Sequence, residues 1–221
     1  MVANKISSLN EEKGEFLAGK LLDWFSTNAR DFPWRKETSP YKILVAEKLL
    51  QQTTYGHVMK VYASFLEKFP DIHSLAQAEV SDIEDTIRRL GLHRQRAQQF
   101  KEIGSTVLSK YGGKIPSRKE ELLDLSGIGD YVANAVLCFA FDRDEPVVDI
   151  NVRRVVGRFF SWVETSDKEI ERRLRRMIPE GRAQQFNWGI IDFSSAICSQ
   201  KPKCKECFLT EFCSYYEARV R

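Results

Sequence analysis

The segment Glu120–Ala140, EELLDLSGIGDYVANAVLCFA, constrains the fold more than any other part of the chain. Its second half is apolar on nearly every face of a helix that begins near Asp130, which is typical of a helix in the centre of a domain. A shorter helix ends near Leu125, and Gly127 and Gly129 allow a tight turn between the two. The turn predicts backbone N–H groups at a helix N-terminus, where a phosphate can bind. An αα turn that needs glycine for its geometry alone is the alternative interpretation.

Helical patterns extend over nearly the whole chain, so the predicted fold class is all-α. Apolar residues recur at helical spacing in five further segments: Glu12–Thr27, Tyr41–Gln52, His57–Lys68, Val80–Leu90 and Gln95–Tyr111. Breaking residues such as Pro70, Gly91 and Gly112 lie between or after these segments. Short β-branched runs such as PVVDI are too isolated to form a sheet.

The charge balance excludes a protein that coats a polyanion through a global field. The 221 residues include 34 basic and 31 acidic side chains, a formal net charge of +3. A nucleic-acid site must therefore be a local patch. No apolar run reaches the roughly 20 residues that span a bilayer, and the N-terminal sequence has no secretory apolar region. We therefore expect a cytoplasmic protein without a membrane partner.

Four of the five cysteines lie close together near the C-terminus, with the spacing C-x5-C-x2-C-x5-C: Cys198, Cys204, Cys207 and Cys213. The fifth, Cys138, lies alone in an apolar helix pattern. Thiols of a cytosolic protein stay reduced, so the cluster predicts a metal site rather than disulfides. Four thiolates can hold Zn²⁺ or an iron–sulfur cluster. A single C-x2-C pair favours a [4Fe–4S] cluster over structural zinc.

Glu47 falls on the otherwise apolar face of the helix predicted over Tyr41–Gln52. A carboxylate on a buried face is costly unless it is paired or functional. A salt bridge to an arginine and a catalytic role both explain its position. The residues that close this helix, Gln51, Gln52 and Thr53, form either a solvated helix end or a wedge inserted into stacked bases.

Asp149 follows the extended stretch PVV and precedes Ile150–Phe160, which has a helical pattern. As the N-cap of that helix, its side chain would contribute about 1 kcal/mol to stability. The functional alternative is a carboxylate held at the mouth of a pocket. Spacing alone does not decide between the two interpretations.

Together, LSGIGDY, VVDINVRRV and the four-cysteine pattern resemble the iron–sulfur DNA glycosylases of the helix-hairpin-helix, Gly/Pro-Asp superfamily. The resemblance extends from Asp31 to CSYYE near the C-terminus. It implies two helical domains with an active-site cleft between them. The central domain would comprise residues 31–140 and contain the hairpin. The second would combine residues 1–30 with residues 141–221 and hold the cluster at 198–213.

The resemblance also implies roles for individual residues. Asp149 corresponds to the catalytic aspartate of the superfamily, and Glu47 to a group that donates a proton or positions water. Tyr131 stands where members with lyase activity carry lysine, which implies a monofunctional enzyme that leaves an abasic site. The resemblance implies three sets of DNA contacts. A phosphate would bind Gly127, Ile128 and Gly129; the base stack would contact Gln51, Gln52 and Thr53; and the DNA backbone would contact Lys201, Lys203 and Lys205. A structural [4Fe–4S] cluster would be bound by Cys198, Cys204, Cys207 and Cys213.

Several stretches, among them DFPWR, TTYGHVMKVY and FNWGIIDFSSAIC, are most similar to the archaeal G·T mismatch glycosylases (the Mig group) of this superfamily. That similarity implies a monomer that removes thymine or uracil opposite guanine from double-stranded DNA, after flipping the nucleotide out of the duplex. An adenine glycosylase acting opposite guanine or 8-oxoguanine is the alternative, because AEKLLQQTT resembles that group too. A helix-hairpin-helix DNA-binding module is the non-enzymatic alternative.

Overall fold

The computed structural model describes residues 2–219, with side-chain surroundings described from residue 11 onward. Within that range the chain forms helices and no strand, which confirms the predicted all-α fold class. The α helices are α1 (Val2–Asn28), α2 (Pro40–Leu50), α3 (Tyr55–Lys68), α4 (Ile72–Gln77), α5 (Val80–Ile87), α6 (His93–Tyr111), α7 (Lys119–Leu123), α8 (Asp130–Phe141), α9 (Ile150–Phe160), α10 (Asp167–Met177), α11 (Ala183–Ala196) and α12 (Ser214–Arg219). No helix of this range is long and apolar enough to cross a membrane.

One compact unit spans Asp31–Phe141 and contains α2 to α8. Its most apolar helix, α8, is buried over residues 132–139, as its pattern predicted. This helix packs against α2 and α7, while α6 packs against α4 and α5. The arrangement places the start of α8 beside the end of α2, where the candidate hairpin and wedge residues lie.

A second compact unit combines the described residues up to Arg30 with those from Asp142 onward. Helix α1 packs against α10 and α11, and α9 packs against α11 and α12. A half-buried contact closes the unit just after α1, where the Arg30 backbone N–H and Nε donate to the Asp192 carboxylate at 3.0 and 2.7 Å. The two segments of this unit are therefore held together by packing and by a charged hydrogen bond between distant residues.

Helix α2 ends at Leu50, two residues before the end that its apolar pattern predicted. Gln51 has an extended ψ of 124°, and Gln52 has a positive φ of 52°. The left-handed conformation is uncommon for a residue other than glycine, and such residues are concentrated at functional sites. The sequence pattern did not indicate this turn, because glutamine is an ordinary helix former.

Candidate active site

Asp149 is the N-cap of α9, which is one of the two interpretations that its sequence position allowed. Its Oδ1 accepts the backbone N–H groups of Asn151 at 2.8 Å and Val152 at 2.7 Å. Its Oδ2 accepts from Asn151 Nδ2 at 2.6 Å. Three donors therefore fix the orientation of the carboxylate, and the helix dipole stabilises its negative charge. The side chain is half-buried, so it keeps some access to solvent.

The extended stretch before Asp149 is held by a residue that sequence reasoning missed. Asn187 on α11 is buried, and its Oδ1 accepts from the Val147 N–H at 3.0 Å. Its Nδ2 donates to the Glu145 carbonyl at 2.8 Å. The amide thus satisfies backbone groups on both sides of Pro146, which positions the approach to Asp149. An asparagine between Phe186 and Trp188 was the only trace of this role in the sequence.

Glu47 is 4% exposed, which confirms that it lies on a buried helix face. The Tyr131 hydroxyl, on α8, donates to Glu47 Oε2 at 3.1 Å. Burial raises the pKa of the neighbouring Tyr62 phenol well above its usual value, and the carboxylates of Glu37 and Glu47 add to that effect. The structure therefore brings together two of the three predicted catalytic side chains, both from the unit Asp31–Phe141.

The hairpin residues between α7 and α8 differ in whether their backbone N–H groups are already hydrogen-bonded within the turn. The Ile128 side chain is buried, and its N–H donates to the Leu125 carbonyl at 3.1 Å, inside the turn. The first N–H groups of α8 have no carbonyl partner within the helix. Asp130, the first residue of α8, forms an ion pair with Lys119 at 2.9 Å. Ile128 therefore anchors the hairpin, and the groups suited to an anion are the amides around Gly127, Gly129 and the start of α8.

Gly127 is favoured by its left-handed backbone and by the side chains packed beneath the hairpin. It has a φ of +66°, and a Cβ there would lie 2.5 Å from Gln99 Cδ and 2.6 Å from Lys48 Nζ. We expect Gly127→Ala to lower the free energy of unfolding by about 2 kcal/mol or more, from left-handed strain and overpacking. Gly129→Ala is the matched control, because Gly129 has no positive φ and no atom within 4 Å of its Cβ position. Equal urea-unfolding midpoints for the two variants would contradict this account.

The three candidate wedge residues have different surroundings. Gln51 Oε1 accepts from Lys48 Nζ at 2.7 Å, and its Nε2 donates to the Gly127 carbonyl at 3.3 Å. Gln52 is exposed, and Thr53 is half-buried with its N–H donating to the Leu50 carbonyl at 3.4 Å. Gln51 is therefore fixed to the hairpin, whereas Gln52 projects from the turn. The sequence pattern did not distinguish the two glutamines and gave no sign of Lys48.

The four C-terminal cysteines line one cavity together with Arg158, Ile197 and Tyr215. Burial raises the pKa of the Cys207 thiol to about 11, and the other three cysteines add to this rise. A hydrogen bond from the Leu209 N–H opposes it. Arg158 Nη1 lies 3.5 Å from Cys198 Sγ and also donates to the Ser199 carbonyl at 2.5 Å. Within residues 2–219, no three or more His, Cys, Asp or Glu side chains converge on the position of a single metal ion.

A basic surface lies beside these cysteines. Three exposed lysines lie on the loop between Cys198 and Cys207: Lys201, Lys203 and Lys205. Arg154 supports this loop from α9, since its Nε donates to the Cys198 carbonyl at 3.0 Å. The loop therefore presents positive charge while its backbone is held by hydrogen bonds to α9.

Comparisons with known proteins place this geometry in a family. The sequence model that describes the HhH-GPD superfamily of base excision DNA repair proteins matches residues 45–180. The chain is 38% identical to thymine/uracil-DNA glycosylase of Methanothermobacter thermautotrophicus, over 93% of this chain and 96% of that protein. A solved thermostable thymine-DNA glycosylase superposes with a TM-score of 0.90 at 38% identity, covering 94% of this chain and 98% of that one. A non-covalent endonuclease III–DNA complex gives 0.86 at 28% identity, covering 96% and 98%.

The chain belongs to the HhH-GPD superfamily of base excision DNA repair proteins. It is a base excision repair DNA glycosylase, a member of a class of enzymes that hydrolyse N-glycosyl bonds of DNA.

Proposed function

We propose that this glycosylase removes thymine or uracil mispaired with guanine in double-stranded DNA and leaves an abasic site. The observation that carries the proposal is the 38% identity, over nearly the full length, to an enzyme named thymine/uracil-DNA glycosylase. The solved thymine-DNA glycosylase of similar fold supports the same substrate class. The proposed acting form is a monomer, and its place of action is the DNA of the cytoplasmic nucleoid.

Asp149 is the proposed catalytic carboxylate. The reaction breaks the bond between the sugar C1′ and the base nitrogen, and the bonding electron pair leaves with the base. Positive charge develops on the sugar, where a carboxylate stabilises it and orients the water that adds to C1′. The added water gives up a proton and the departing base takes one up. The three N–H donors to Asp149 support this role, because they hold the carboxylate in one orientation.

Glu47 is proposed as the group that donates a proton to the departing base or positions the water. Its burial and its hydrogen bond to the Tyr131 hydroxyl support a defined orientation in a site of low dielectric constant. Tyr131 has a phenol and no amine, so it cannot form a Schiff base with the opened sugar. The proposed enzyme is therefore monofunctional, and cleavage of the strand requires a later step.

The proposed DNA contacts lie at the hairpin and the turn after α2. The amides of Gly127 and Gly129, next to the N-terminus of α8, suit a phosphate of the backbone. Gln52 is the proposed wedge, because it is exposed in a left-handed turn, and Thr53 lies beside it. Insertion of a side chain into the stack lowers the cost of flipping the target nucleotide. Contacts with phosphates also require that affinity fall as salt rises.

Cys198, Cys204, Cys207 and Cys213 are the proposed ligands of a [4Fe–4S] cluster. Their common position around one cavity supports this assignment, because four Cys thiolates are the usual ligand set of such a cluster. When bound, the cluster would supply a structural cross-link and no catalytic step. The chain's own contribution is the loop that it holds, whose exposed lysines face solvent.

A panel of labelled duplexes tests which base the enzyme removes. Each duplex is incubated under single-turnover conditions and then treated with alkali, which cleaves the strand at abasic sites. The panel contains G·T, G·U, G·A and 8-oxoguanine·A pairs and matched A·T and G·C controls. We expect release of thymine and uracil opposite guanine at least about 100-fold faster than release of thymine opposite adenine. Release of adenine alone would make the chain an adenine glycosylase. Strand cleavage without alkali would contradict the monofunctional mechanism.

A further inference from the structure

Lys48 is a lysine with almost no exposed surface, at 1%. Lysine is almost never fully buried unless it is paired. Its ammonium group donates to Gln51 Oε1 at 2.7 Å, Gln99 Oε1 at 2.8 Å and the Gly127 carbonyl at 2.8 Å. These three oxygens satisfy the three N–H donors, but all of them are neutral. They therefore hold the positive charge in place without cancelling it.

A second cation supports the same place from α6. Arg96 is buried, and its Nη1 donates to the Lys48 carbonyl at 2.7 Å. Its Nη2 donates to the Gln51 carbonyl and its Nε to the Gly91 carbonyl. Burial, and then the charge of Arg96, lower the pKa of Lys48 to about 8. Two positive charges, those of Lys48 and Arg96, thus lie at the end of α2. The hydrogen bonds described for both side chains go to uncharged oxygens.

The carboxylates of the neighbouring elements have contacts of their own. Glu102 on α6 accepts from the Ser126 hydroxyl at 2.5 Å, and Glu47 on α2 accepts from Tyr131. Asp130 at the start of α8 pairs with a lysine, so the outer face of the hairpin gains no net charge from that residue. Glu102 keeps its negative charge, because its Ser126 partner is a neutral hydroxyl, whereas the ammonium of Lys48 is a cation in direct contact with the Gly127 carbonyl.

We propose that Lys48 is a positioning residue with two effects on DNA binding. Its ammonium group adds positive charge beneath the hairpin, and it holds Gln51, the residue before the proposed wedge Gln52, against the Gly127 carbonyl. Phosphate binding and duplex wedging are thereby coupled through one ammonium group. The proposal rests on the DNA contacts assigned above to the hairpin and the turn after α2. It adds a residue that contacts no DNA itself. Its sequence position, inside a helix between Glu47 and Leu49, gave no indication of this role.

Protonation gives the proposal a measurable signature. A phosphate bound over the hairpin favours the charged form of Lys48 and raises its pKa. Near pH 8.5 the free protein is partly deprotonated at this site, so binding of a duplex takes up protons. For the same reason, affinity for DNA falls as the pH rises through about 8. A lysine with a purely structural role would not link DNA binding to proton uptake.

The test compares the full-length protein with Lys48→Met and with Lys60→Met, which removes an exposed lysine of the same unit. Binding of an undamaged duplex is measured by fluorescence anisotropy, so neither catalysis nor the identity of the target base affects the result. We expect Lys48→Met to weaken binding at least about tenfold at pH 7, and Lys60→Met to weaken it less than about threefold. Calorimetry at pH 8.5, in buffers of different ionisation enthalpy, measures the proton uptake, which Lys48→Met is expected to abolish.

The outcomes separate this proposal from the proposed function. A wild-type protein that binds no duplex would overturn the DNA contacts themselves. A wild-type protein that binds DNA with no proton uptake and with equal affinity at pH 7 and pH 9.5 would overturn the role of Lys48, even if the variant fails to fold. Equal binding and equal proton uptake by a folded Lys48→Met variant would overturn it as well.

Discussion

Asp149→Asn is expected to lower the single-turnover rate of uracil release from a G·U duplex by at least about 10³-fold. The substitution removes the negative charge that would stabilise the positively charged sugar. The fold is expected to remain intact, because asparagine is as good an N-cap as aspartate, although the hydrogen bond from Asn151 Nδ2 to Oδ2 is lost. Its amide oxygen can still accept the N–H groups of Asn151 and Val152 that now bond to Oδ1. The effect is therefore expected on the rate, with little change in the unfolding temperature.

Asp167→Asn provides the matched control for this experiment. Asp167 is also a carboxylate at the start of a helix in the same unit, where it pairs with Arg153. Its loss is expected to leave the rate within about twofold, because surface ion pairs contribute little. An Asp149→Asn enzyme that releases uracil within tenfold of the parent rate would show that another group stabilises the sugar.

Cys207→Ser is expected to abolish the brown colour and visible absorbance that a [4Fe–4S] cluster gives to the purified protein. Cys207 lies in the shared cavity with the other three cysteines, and a serine in its place leaves a poor ligand for iron. Because binding energy at a structural metal site is also folding energy, we expect the unfolding temperature to fall by about 10 °C or more. Absorption spectra, iron and sulfide analysis, and thermal unfolding measure the change.

Cys138→Ser is the matched control for the cluster. Cys138 is buried on α8, in the unit Asp31–Phe141, and is separate from the four-cysteine cavity. Its replacement should retain the visible absorbance and about four irons per chain. A colourless parent protein that contains one zinc ion would contradict the cluster and support the zinc alternative.

Local chemistry made much of the fold predictable. The predicted helices are present because apolar residues at helical spacing must be buried on one face, whatever the partner. The burial of Glu47 followed from its place on such a face, and the N-cap position of Asp149 followed from an aspartate at a helix start. The catalytic roles of both residues stay predictions, since position alone does not establish chemistry.

The amino-acid sequence by itself determined the all-α fold class, the position of the glycine turn, the cap at Asp149 and the grouping of four cysteines, because each depends on neighbours within a few residues. Only the tertiary structure decided that Lys48 contacts Gly127, that Gln51 is fixed while Gln52 projects, and that Asn187 holds the stretch before Asp149. Each of these depends on a partner at least 40 residues away in the chain. Hydrogen bonds over such distances are set by helix packing, which no local pattern encodes.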